Sequence, residues 1–232
     1  MAKFVALQAG HQNTKNNCNV NLRNSTGAPG EVDFTVRIRD RLGQILIDKG
    51  FQVQLVDACF NCSPENQKDF NLFLAIHYDA NIYGTGGGFV DKPDPSVDAA
   101  TAESERIRKA IEDEYFKNTG IVNMPQRSNA NTKYYYMWAA LTAKTPCVII
   151  ECGVGQDAHD KVILADTDRV CNAIARGICK AFNVSFDAPP TPAPTPTPES
   201  PEKQLLDKIK GIVWGKGWTW TKISQLKTLI SK

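Results

Sequence analysis

Two short runs, "LFLAIHYDA" at residues 72–80 and "CVIIECG" at 147–153, most constrain what this chain can fold into. A strand with one wet face alternates polar and apolar residues, but these two are apolar at nearly every position until their ends. That pattern belongs to strands buried on both faces, as in the centre of a parallel sheet. Parallel neighbours need crossover helices, and the intervening sequence supplies them. "KFVALQA", "FQVQLVD" and "GGFVD" read as further strands. "EVDFTVRIRDRLGQILIDKG" reads as a helix with Phe34, Ile38, Leu42, Ile45 and Leu46 on one face and Gly50 as its stop. "SVDAATAESERIRKAIEDEYFKNTG" is a second amphipathic helix, closed by Gly120; "TKYYYMWAALTA" is a third and "HDKVILADTDRVCNAIARGICKAF" a last long one. The expected fold is α/β: a single, mostly parallel twisted sheet with helices on both faces.

A second architectural signal comes late. "DAPPTPAPTPTPESPE" alternates Pro with Thr, which forms neither a ladder nor a helix, so it reads as a semi-rigid spacer of about 3.1 Å per residue. Three parts follow: a domain over 1–186, a linker over 187–201 and a small helical module over 202–232. Charge changes across the spacer. Residues 199–232 carry seven lysines against three acids, a net +4, leaving 20 basic and 22 acidic residues, a net −2, before it. The overall +2 is too small to argue for nucleic acid, and 42% hydrophobic with 22% charged residues is ordinary for a globular protein. No apolar run approaches the roughly 20 residues of a membrane helix, and "MAKFVALQAGHQ" reads as a first strand, not a signal peptide. The seven cysteines, an odd count, are expected to be mostly reduced thiols. Cys59 and Cys62 have redox or zinc-ribbon spacing, but no second CxxC completes a four-sulfur site, so burial or a loop-local role is expected.

In such sheets the site lies off the carboxyl ends of the strands. His11 falls just past the first strand, His77 and Glu151 at the ends of the two buried ones, and Glu31 at the start of the first long helix. Each alone has a bland reading: Glu31 as an acid favoured by the helix dipole, His77 as a core imidazole. Together they suit a catalytic zinc, which takes three protein ligands, commonly two His and a carboxylate, and leaves one position open. His11, Glu31 and His77 suit the ligand set. Glu151 suits the base that must move a proton from water to a leaving amine.

"AGHQN", "GAPGEVDF", "LFLAIHYDA" and "PCVIIECG" resemble the four motif blocks of the zinc-dependent N-acetylmuramoyl-L-alanine amidases, the type-3 amidase family, in the family's order and over roughly residues 3–182. The resemblance implies Zn2+ on His11, Glu31 and His77, Glu151 as catalytic glutamate, and cleavage of the amide between N-acetylmuramic acid and L-alanine in peptidoglycan. Asp79 stands where the family usually has Asn, and Arg127 resembles an Arg near the substrate groove; both are candidate substrate contacts. The Pro/Thr-linked basic module and the small size are similar to a phage endolysin, made in the host cytoplasm and reaching the wall through a holin to lyse the cell.

The tail places Trp214, Trp218 and Trp220 between two apolar helical stripes, as a mini-domain core and as aromatic faces for wall sugars, with lysines for anionic wall polymers. His159, eight residues past Glu151, is expected at the surface near a helix start. "YGTGGGFV" lacks the Lys-Ser/Thr of a phosphate loop and reads as a turn, and "KYYYMWAAL" as packing aromatics. Two other functions stay open: a zinc peptidase on the stem peptide, and a non-catalytic wall-binding module with a structural zinc.

Overall fold

The computed structural model describes residues 2–13, 27–80, 82–97 and 101–187. The chain divides into Met1–Thr191 and Pro192–Lys232; the spacer beyond Asp187, Trp214, Trp218, Trp220 and Cys18 lie outside the described residues.

Strands β1 (Phe4–Ala9), β2 (Gln52–Val56), β3 (Leu72–Asp79), β4 (Phe89–Asp91) and β5 (Cys147–Val154) form one five-stranded sheet in the order β2-β1-β3-β5-β4. The pairs β1–β2, β1–β3 and β3–β5 are parallel, and β4 lies antiparallel on the edge beside β5. β3 and β5 are thus interior strands, as their unbroken apolar runs require. Successive strand side chains alternate between faces. Leu7, Leu72, Leu74, Ile76, Val148 and Ile150 face one layer; Ala6, Phe73, Ala75 and Ile149 face the other.

The first layer holds the long helices α1 (Glu31–Asp48), α2 (Thr101–Thr119) and α5 (Thr167–Ala181). α1 buries the expected stripe Phe34, Ile38, Leu42, Ile45 and Leu46. Its last carbonyls are taken by Gly50 N–H to Ile47 and Phe51 N–H to Leu46, a hydrogen-bonded stop. The opposite layer is built from short helical turns and loops, with Phe60, Phe70, Met137, Trp138 and Leu141 buried against the sheet. No helix among the described residues is long and apolar enough to cross a membrane.

Two helix expectations change. "TKYYYMWAALTA" forms only a four-residue α3 (Ala130–Lys133) and a 3-10 turn at Trp138–Ala140. Its aromatics do not repeat at helical spacing; Tyr135 and Trp138 instead turn into the sheet side of the molecule. The last helix is two, α4 (Ala158–Ala165) and α5, because the Asp166 carboxylate accepts the Arg169 N–H and caps a new start. Cys62, Cys147, Cys152, Cys171 and Cys179 are thiols, so most of the cysteines are reduced as expected, while Cys59 is disulfide-bonded.

Candidate active site

The parallel register does most of the positioning. His77 on β3 lies directly beside Glu151 on β5, and Phe89 of β4 flanks Glu151 on the other side. A bulge between His77 and Asp79 then shifts the pairing, setting Asp79 against Val154 and re-aiming it relative to the histidine. His11 follows β1 in the left-handed conformation (φ 59), and Glu31 opens α1. Two glycines make the approach possible. A Cβ on Gly10 would lie 2.3 Å from the His77 imidazole, and one on Gly27, itself at φ +64, would lie 2.1 Å from the Glu31 carboxylate.

His11, Glu31 and His77 each bring one ligand atom within 4.8 Å of the others. His77 Nδ1 is 2.9 Å, and His11 Nε2 3.5 Å, from the same Oε1 of Glu31. The imidazoles stand edge-on with centroids 5.0 Å apart. Glu31 is 3% exposed, and its carboxylate also accepts the Ala28 and Tyr78 N–H groups. Burial alone would raise this carboxyl, but the His77 hydrogen bond and the two imidazoles outweigh it and hold it below the usual range. Two imidazole nitrogens and a carboxylate oxygen thus gather around one point. The set fits zinc, whose open catalytic sites use these donors.

Glu151 stands beside that set. Its Oε2 is buried and has no hydrogen-bond partner among the described residues. Burial pushes the carboxyl well above the usual carboxylate range, and Glu31 and Asp79 push the same way. A carboxyl so placed is suited to accept a proton. Burial also raises Asp79, with Arg127 pulling against it across 3.9 Å.

Sequence comparison decides the family: the profile described as N-acetylmuramoyl-L-alanine amidase matches residues 5–183. The chain belongs to that family. Among solved structures, the amidase is similar to Ami1 from Mycobacterium smegmatis (TM-score 0.59, 19% identity, covering 79% of this chain and 97% of that one). It is also similar to the CwlD amidase from Clostridioides difficile in complex with the GerS lipoprotein (0.56, 17%, 79% and 100%). A third is the catalytic domain of the CD27L endolysin targeting Clostridia Difficile (0.52, 11%, 78% and 98%). At these identities the likeness is one of fold. No curated protein matches the sequence.

Of the amidase's candidate substrate contacts, Arg127 has another visible task. It is buried, and its guanidinium donates to the carbonyls of Thr85, Gly86 and Gly87 and to the Thr85 hydroxyl, with Tyr83 stacked 4.5 Å away. It clamps the loop between β3 and β4, with Asp79 as a neighbour 3.9 Å away. His159 is exposed at the start of α4. Sequence reasoning passed over Gln8, fully buried in β1. A glutamine inside "FVALQA", three residues before a ligand candidate, was the available signal.

Proposed function

We propose that this peptidoglycan amidase is a zinc enzyme and a phage endolysin. The carrying observation is the convergence of His11, Glu31 and His77 beside a buried, unpartnered oxygen of Glu151. His11, Glu31 and His77 would hold the metal. When bound, zinc supplies Lewis acidity toward an amide carbonyl and toward water. Glu151 takes the proton from the water that attacks the lactyl carbonyl and returns it to the departing L-alanine nitrogen as the C–N bond breaks. The buried Glu151 oxygen favours this reading over a structural zinc, which needs no base.

The endolysin role rests on the Pro/Thr spacer and the basic tryptophan segment behind it. In that role the protein is made in the host cytoplasm and reaches the wall after holin action, with the tail adding affinity for wall polymers. Digestion of purified peptidoglycan should release new L-alanine amino termini and no cuts within the stem peptide. Cleavage inside the stem would make it a peptidase. A chain ending at Asp187 should cleave soluble muropeptides yet bind intact walls less; equal binding would remove the targeting role.

A further inference from the structure

Behind the candidate metal centre lies a chain of polar groups whose hydrogen positions can be followed from its far end to His77. Gln8 is fully buried on β1, level with Ala75 on β3 and on the same sheet face as His77. Its side-chain nitrogen donates to the Asp57 carbonyl (3.2 Å), which can only accept, and to the Tyr136 hydroxyl (3.3 Å). Tyr136 sends its own hydrogen to the Ala58 carbonyl (2.6 Å). The Gln8 oxygen must therefore face Tyr135, whose hydroxyl donates to it at 2.9 Å. A phenol has one hydrogen. With that hydrogen spent on Gln8, the Tyr135 oxygen offers only lone pairs to His77 Nε2, 3.2 Å away.

We infer that Tyr135, oriented by Gln8, is a positioning residue that keeps the His77 proton on Nε2 and so leaves the Nδ1 lone pair for a metal shared with Glu31. This rests on the zinc reading of the site. The direction is set by the far end of the chain: the Asp57 carbonyl orients the Gln8 amide, the amide orients the phenol, and the phenol orients the imidazole. Partners of this kind on the second nitrogen of a ligating histidine fix its tautomer and ring plane, and their loss typically lowers metal affinity about 10–100-fold.

The test is ring 15N chemical shifts of His77, one of three histidines, in metal-free protein at alkaline pH and after zinc addition, with zinc affinity measured by chelator competition. In the zinc-loaded native protein His77 should carry its proton on Nε2 and face the metal through Nδ1; without metal, the Glu31 carboxylate oxygen 2.9 Å from Nδ1 competes for that proton. Tyr135→Phe should bind zinc about 10–100-fold more weakly. Gln8→Leu is the sharper variant: Tyr135 remains, but its hydrogen is released toward Nε2, so His77 should move to the Nδ1–H form and zinc affinity should fall. Gln8→Glu still accepts from Tyr135 and should retain Nε2–H. A proton on Nδ1 in the zinc-loaded native protein, or a folded Tyr135→Phe with zinc affinity within about twofold of native, would overturn the inference. The native spectrum needs no variant, so it decides the matter even if the substitutions unfold the protein. Failure of the native protein to bind zinc would instead remove the zinc reading itself, an outcome distinct from zinc bound through Nε2.

Discussion

Two clusters in this molecule contain metal-ligand residues at similar spacing, and they do different things. His11, Glu31 and His77 form one; Asp157, His159 and Asp160 form the other. In the second, the backbone has claimed one oxygen of each carboxylate, and the other Asp160 oxygen faces only the exposed His159 imidazole, 3.2 Å away. Asp157 accepts the N–H groups of His159 and Asp160 and caps α4. Asp160 is 1% exposed, and one of its oxygens accepts the N–H groups of Gly87 and Val154, pinning the loop before β4 to the end of β5. In the first, the Glu31 carboxylate also takes backbone N–H groups, yet one oxygen still faces two imidazoles. Residue types do not separate a ligand set from a capping set. What separates them is the direction of the remaining lone pairs.

Substitution should separate them too. The largest effect is expected from Glu151→Ala, which should keep its zinc and its fold while losing about 10²–10⁴ in turnover, the usual worth of a positioned acid–base group. Metal content and kcat together check this. Zinc loss in that variant would move Glu151 from beside the first cluster into it.

How far this contrast was legible in the sequence depends on range. β3 and β5 carry their burial in their own composition, α1 carries its stripe, and the strand-end rule brought His11, Glu31, His77 and Glu151 to one edge. What could not be read depended on distant contacts. The Asp166 cap competes with an apolar pattern that runs through it. The guanidinium of Arg127 is committed to carbonyls some 40 residues earlier. The hydrogen of Tyr135 is committed to Gln8, 127 positions away, and no local periodicity encodes that.

The second cluster should respond in stability instead of chemistry. Asp160→Ala strips a buried acceptor from the Gly87 and Val154 N–H groups, so thermal unfolding should show a loss of about 1–3 kcal/mol, with Asp160→Asn recovering part. Asp157→Ala removes only the α4 cap, and about 1 kcal/mol is expected by the same measurement. Smallest of all, His159→Ala, at an exposed position, should stay within about 0.5 kcal/mol of the native stability and keep most of its muropeptide turnover. An inactive His159→Ala would mean that the clusters have been assigned the wrong way round.

The central claim is that the edge formed by His11, Glu31, His77 and Glu151 is a zinc site for amide hydrolysis, and its most direct test is a titration. Metal-free protein is mixed with increasing zinc while release of L-alanine amino termini from a soluble muropeptide is followed. Cleavage should be absent without metal and complete in rate at one equivalent, and His11→Ala should need excess zinc. Full-rate cleavage by the metal-free protein would contradict the account.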